Sequence, residues 1–135
     1  MRAGGAVLLA IVLSCGPSVD RDLPPAYRDV AVPPGLMTSK EARARGAALF
    51  RQHCSLCHGV LGDGHGIRSE ALSTRPRDFT DPSWRSETSP RHVYFAIREG
   101  VRDTPMPAWK SLDEAESWDL VAYVLSLGDR DAAKR

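Results

Sequence analysis

The chain has 135 residues, of which 42% are hydrophobic and 26% charged, with a formal net charge of +1. That length allows one small domain and leaves no room for a second core. Acids and bases balance between Leu36 and Gly128, which excludes long-range steering of the strongly basic kind and argues against a nucleic-acid partner.

Arg2 precedes an apolar run from Ala6 to Leu13 that is too short to cross a bilayer as a permanent helix, so residues 1–14 read as a secretory signal. The run ends in Val12-Leu13-Ser14-Cys15, which resembles the lipobox of bacterial lipoproteins and implies acylation of Cys15. Two acyl chains on one cysteine suffice for stable membrane attachment. The alternative is an ordinary signal cysteine that is discarded. The expectation is an exported lipoprotein, anchored in the membrane and facing the periplasm. Residues 15–37 hold Pro17, Pro24, Pro25, Pro33 and Pro34 without a sustained apolar period. They predict an extended, semi-rigid tether in which Tyr27, Val30 and Val32 dock either on the domain or on a partner.

The folded domain is expected over 38–128. Thr38-Ser39-Lys40-Glu41 has capping-box spacing and predicts a helix to about Gln52, with Ala42, Gly46, Leu49 and Phe50 on one stripe. A glycine inside a helix costs about 1 kcal/mol against alanine, so Gly46 implies the close approach of another backbone.

Next comes Cys54-Ser55-Leu56-Cys57-His58, the attachment pattern of c-type haem. On a helical turn, two cysteines with a two-residue spacer present both sulfurs to the vinyl groups of one porphyrin, and the adjoining His58 can ligate the iron. A zinc site could draw on Cys54, Cys57 and two of His53, His58 and His65, but no second ligand knuckle pairs with the first. A thioredoxin-like dithiol lacks its βαβ setting. A plain disulfide fits the spacing but leaves His58 unexplained. The glycines from Gly59 to Gly66 predict a loop passing close to a large flat ligand.

Ser89-Pro90 and Gly100 bracket a further helix with Val93, Ala96 and Ile97 inward and Tyr94 or Phe95 beside them. Pro105-Met106-Pro107 restricts the backbone on both sides of Met106 and presents its thioether from a stiff loop. Ser111-Leu112-Asp113-Glu114 reads as a second capping box, opening a helix that runs through Leu127 and stops at Gly128, with 129–135 a polar tail. That helix is apolar on two faces, Trp118, Val121, Ala122 and Leu125 against Leu120, Tyr123, Val124 and Leu127, and is therefore buried on two sides. Its acids oppose Lys40, Arg43, Arg45 and Arg51 on the first helix.

Residues 38–128 together resemble a class I mono-haem cytochrome c, on the haem motif, the Met-Pro loop and the helix pairing. The resemblance implies an all-α cytochrome c fold with three main helices around one covalently bound haem c. It implies that Gly46 and Phe50 pack on the last helix near Tyr123. Arg75-Pro76-Arg77-Asp78-Phe79-Thr80 is similar to a segment of small bacterial cytochromes in which the carbonyl of Pro76 would accept the His58 Nδ1 proton, and Arg75 or Arg77 would meet a propionate. Met106 becomes the sixth ligand, with His65 and His92 as the alternatives.

An iron held by His58 and Met106 has no open position, so the function implied is outer-sphere, one-electron transfer with no catalysis and no small-molecule substrate. The expected partner is a membrane redox complex, such as an oxidase or a quinol-oxidising assembly. The second reading is a haem enzyme in which Met106 is labile, peroxidase-like or gas-binding, and the third is the zinc module.

Overall fold

The computed structural model describes residues 18–132. The signal segment, Cys15 and the last three residues of the polar tail lie outside them. Among the described residues every regular element is helical: α1 (Pro25–Arg28), α2 (Lys40–His53), α3 (Ser55–His58), α4 (Pro82–Glu87), α5 (Pro90–Glu99) and α6 (Glu114–Ala132), with short 3-10 turns at Ser18–Asp20, Leu36–Thr38 and Ser69–Ala71. The three expected helices are α2, α5 and α6, and the all-α cytochrome c architecture is present.

The crossing of α2 and α6 organises the rest. A Cβ built on Gly46 would lie 2.0 Å from the Asp119 carbonyl oxygen and 2.8 Å from the Tyr123 Cβ, so hydrogen is the only side chain that lets the two backbones meet. Phe50, with no exposed surface, packs its ring 5.3 Å from that of Tyr123. At the same crossing Arg45 grips Asp119 with two donors, Nε at 2.6 Å and Nη2 at 2.8 Å. A fork of this kind adds direction to the apolar packing. Helix α6 is buried from Ser117 to Leu127: Tyr123 meets α2 while Trp118 stacks on Tyr94 of α5 at 4.2 Å.

Three helix boundaries differ from the sequence expectation. Ser39, not Thr38, caps α2, its Oγ accepting from the Ala42 amide at 3.1 Å. The Leu36–Thr38 turn consumes Thr38, whose hydroxyl donates to the Gly35 carbonyl at 3.1 Å. The box opening α6 is Asp113 with Glu116: the Glu116 amide donates to Asp113 at 2.8 Å and the Asp113 amide to Glu116 at 2.9 Å. Ser111 is displaced because Leu112, buried to 6%, turns inward just before the cap. Gly128 does not stop α6, which continues to Ala132. Arg85 of α4 crosses there, its Cγ 3.0 Å from where a Cβ on Gly128 would stand, and its Nε donates to the Leu125 carbonyl at 3.2 Å. The glycine makes room for that side chain at a helix cost of only about 1 kcal/mol.

Helix α4 was not anticipated. Its signal is Asp81-Pro82, with the Asp81 carboxylate accepting from the Ser83 amide at 2.9 Å. The Ser83 hydroxyl, and after it that amide bond, hold the Asp81 pKa below its ordinary value.

The expected tether is also corrected. From Ser18 onward it folds onto α5 as a packed arm, because it carries apolar and acidic groups that find partners there. Leu23 is 3% exposed, and the Tyr27 ring lies 4.8 Å from Phe95 and 6.1 Å from Tyr94. The Tyr27 hydroxyl donates to Glu99. Arg91 binds Asp20 at 3.2 Å and the Val30 carbonyl at 2.9 Å. Burial opposes ionisation of Asp20, but hydrogen bonds from Ser89 and Arg91 and the charges of Arg91 and His92 outweigh it and lower its pKa. Leu36 then joins the core against α6.

Candidate functional site

Cys54 caps the end of α2 and begins the single turn of α3, its carbonyl accepting from the Cys57 amide at 3.1 Å and the His58 amide at 2.9 Å. This turn puts Cys54, Cys57 and His58 on the wall of one cavity of about 630 Å³. Both thiols are free, so the disulfide alternative is not realised. Burial, reinforced by Cys57, pushes the Cys54 thiol up to about 12, which keeps it a neutral SH group.

The His58 ring is clamped from its own side. It stacks on Phe79 at 4.5 Å and 21°, with Phe50 at 6.5 Å. His58 Nδ1 lies 3.1 Å from the carbonyl oxygen of Arg77. A carbonyl only accepts, so Nδ1 carries the proton and Nε2 keeps its lone pair, the arrangement a metal-ligating histidine needs. Burial lowers the His58 pKa and favours the neutral ring that can ligate, and the Arg77 bond offsets only part of that shift.

The acceptor is therefore Arg77, one residue beyond the expected Pro76. Pro76 lines the same cavity, but its carbonyl faces Gly64, where a Cβ would stand 2.7 Å away. Gly64, at φ 79°, closes the glycine loop by donating its amide to the His58 carbonyl at 2.8 Å. The loop thus braces His58 from the main chain, and its closeness to Pro76 turns the next carbonyl toward the imidazole.

Met106 lines the cavity together with Pro105 and Pro107. Backbone and side-chain hydrogen bonds hold its loop. The Met106 carbonyl accepts from the Val101 amide at 3.2 Å, the Trp109 amide donates to Ile97 at 2.9 Å, and the Met106 amide donates to the Thr104 hydroxyl at 3.2 Å. Thr104 in turn donates to the Val101 carbonyl at 2.8 Å. Asp103 takes φ 60° to make this turn, a conformation Asp tolerates better than most residues. The sequence reading missed Thr104 and Phe79 as supports. Both stood in segments already singled out, Phe79 in the run from Arg75 to Thr80 and Thr104 at the head of the Met106 loop.

Of the alternative ligands, His65 is not on the cavity wall. Its Nδ1 meets the Asp63 carbonyl at 2.9 Å and Arg75 stands 3.3 Å from its Nε2. His92 is on the wall, but both its nitrogens face other partners, Nε2 with Asp22 at 3.0 Å and Nδ1 with Ser89 at 3.2 Å. Arg75 and Arg77 both line the cavity. Among the described residues no three His, Cys, Asp or Glu side chains converge as a metal site requires, so the zinc alternative has no donor set there.

The site suits an iron porphyrin. Close-packed interiors leave few voids larger than a water molecule, and this cavity has the size of a cofactor site. Phe50, Phe79, Trp84, Ile97, Leu120 and Val124 furnish apolar walls. An imidazole with a free Nε2 and a thioether are ligands suited to haem iron, and two thiols share the same wall.

The family model for cytochrome c oxidase, cbb3-type, subunit III matches residues 41–124. The chain is similar to subunit CcoP of the cbb3-type cytochrome c oxidase of Rhodobacter capsulatus, 30% identical over 115 residues, which is 76% of this chain and 35% of that protein. Among solved structures it is similar to a chain of the reducing HAO-like protein complex of Kuenenia stuttgartiensis, with 31% identity and a TM-score of 0.61, covering 73% of this chain and 49% of that one. It therefore spans about a third of the first relative and about half of the second. No helix of the described residues is long and apolar enough to cross a membrane. The family match runs from the first turn of α2 to Val124 on the cavity wall and takes in the haem motif, the Met106 loop and the α2–α6 crossing: the chain belongs to the cbb3-type oxidase subunit III family and is a cytochrome c.

Proposed function

We propose that the chain carries one haem c, covalently attached through Cys54 and Cys57 and ligated by His58 and Met106, and that it relays single electrons within a membrane-bound respiratory complex of the oxidase kind. The observation that carries this is the meeting of Cys54, Cys57, His58 and Met106 on one apolar cavity. Bound there, an iron porphyrin supplies a reversible one-electron couple. The residues around it do the rest: Arg77 fixes the His58 tautomer, Thr104 and Val101 keep Met106 in place, and the aromatic walls exclude water, which keeps reorganisation small when charge changes. Arg75 or Arg77, both on the cavity wall, would pair with a propionate.

The test is the mass and colour of the chain produced in a host that matures c-type cytochromes. The expected result is one haem mass that survives denaturation, a low-spin spectrum and a weak far-red sulfur-to-iron band. With Cys54 and Cys57 both replaced by alanine, covalent haem should be lost entirely; a colourless wild-type chain would end this reading. A high-spin ferric spectrum would favour the labile-Met106 enzyme instead.

Electrons would pass near the attachment turn. Leu56, Val60, Leu61 and Ile67 expose 42%, 70%, 69% and 88% of their surfaces around it, and clustered exposed aliphatics mark contact surfaces. The occupant is the redox partner, since it must approach this edge. Leu61→Glu with Ile67→Glu is expected to leave spectrum and potential unchanged while slowing electron transfer to the membrane fraction about tenfold, equivalent to about 1.4 kcal/mol of docking. An unchanged rate would remove this face.

An acyl group on Cys15 would provide the membrane attachment. Only Gly16 and Pro17 separate Cys15 from Ser18, where the packed arm begins. Those few residues reach roughly 10 Å, so such an anchor would keep the domain at the surface of the bilayer on its periplasmic side. Free ranging on a long leash is not expected.

A further inference from the structure

Among the described residues, three imidazoles line the cavity with Met106: His53, His58 and His92. His58 is accounted for, and the His53 ring lies 5.1 Å from Trp109. His92 poses a chemical problem. Imidazole is the commonest metal ligand among side chains, and thioether favours ferrous over ferric iron. An imidazole with a free lone pair on this wall would compete with Met106, above all in the ferric state.

The fold answers that problem from the N-terminal arm. His92 Nε2 is 3.0 Å from Asp22 Oδ1, and Nδ1 is 3.2 Å from Asp20 Oδ1 and 3.2 Å from the Ser89 hydroxyl. Ser89 and Arg91 also bind Asp20, which fixes the carboxylate that faces the ring. The arm is seated by Leu23, by Tyr27 against Phe95, and by Arg28, which donates to the Leu23 carbonyl at 2.9 Å. Asp22 differs from its neighbours: its side chain is 78% exposed, and His92 is the contact the structure gives it. A solvated carboxylate held in that place is better explained by its effect on the ring than by its contribution to the fold, since exposed ion pairs stabilise little.

We propose that the arm selects the axial ligand: Asp20 and Asp22 hold His92 against the arm and so leave Met106 to cap the iron. Both are positioning residues that act through His92. The inference rests on the proposed His58/Met106 ligation.

The test uses the full-length holoprotein and compares the far-red sulfur-to-iron band and the reduction potential of wild type, Asp22→Ala, Asp20→Ala/Asp22→Ala, and the triple variant that adds His92→Leu. Asp22→Ala is included because loss of an exposed side chain leaves the arm seated. The band is expected to weaken in Asp22→Ala and to fall by at least half in the double variant, with a lower potential. In the triple variant both should return to the wild-type values. The return is the decisive readout, because a general loosening of the fold would not be repaired by removing an imidazole. A full band in the double variant, or a lost band that His92→Leu fails to restore, overturns the selector while leaving the Met106 reading intact. A wild-type protein without the band overturns that reading, and the selector with it.

Discussion

Replacing Gly46 by alanine should cost the holoprotein about 3 kcal/mol or more, at or beyond the top of the usual range for overpacking. The reason is geometric. The added methyl would lie 2.0 Å from the Asp119 carbonyl oxygen and 2.6 Å from its carbon, and both are helix backbone that cannot rotate away. The helices must separate, and separation also loosens the Arg45–Asp119 fork and the Phe50–Tyr123 contact. Domains of this size have only about 5–15 kcal/mol in hand, and α6 contributes Leu120 and Val124 to the cavity wall, so the haem spectrum should become heterogeneous as well. Denaturant titration followed at the Soret band measures this. Ala48→Gly, on the exposed side of α2, is the matching control and should cost about 1 kcal/mol from helix propensity. A Gly46→Ala midpoint no lower than that of the control would show that the two backbones do not touch in solution.

Met106→Ala should leave haem attached, because the attachment proposed is through Cys54 and Cys57, and should remove the far-red sulfur-to-iron band. The potential should fall by on the order of 100 mV, a part of the ~0.8 V that axial ligation spans. External cyanide or imidazole should then bind rapidly, which the wild type resists. The neighbouring histidines are not expected to fill the position. His65 is tied to Asp63 and faces Arg75 off the cavity, and His92 is engaged at both nitrogens. An unchanged band would assign the sixth position elsewhere. A bis-histidine spectrum would show that His92 is not held.

What could be read from the residues was what depends on near neighbours. Cys54, Cys57 and His58 fall within five consecutive residues on one turn, so their pattern needs no knowledge of the fold. Ser89 and Pro90 at one end and Gly100 at the other bracket α5 through the local preferences of their own backbones. Gly46 was informative because a helix tolerates glycine poorly unless something else requires it.

The local rules failed where two of them competed, and there burial decided. Thr38 and Ser39 are both good caps, and the turn at Leu36 took one of them. Ser111 yielded to Asp113 once Leu112 turned inward. Gly128 would have ended α6 in isolation, but Arg85 occupies the space beside it.

The larger differences came from groups far apart in the chain. Composition makes residues 18–37 look like a tether, whereas Asp20 and Asp22 meet His92 about 70 residues away and Leu23 is buried in the same packing. The Arg77 carbonyl replaces that of Pro76 because Gly64, from another loop, stands against the latter. By itself, then, the sequence determined the cytochrome c motif, the helical class and the α2–α6 crossing, which are set by residue spacing, backbone preference and the size of single side chains. Only the tertiary structure decided which carbonyl orients His58, which hydroxyl steadies Met106 and where the arm lies, because those depend on long-range burial bringing together groups that no local pattern connects.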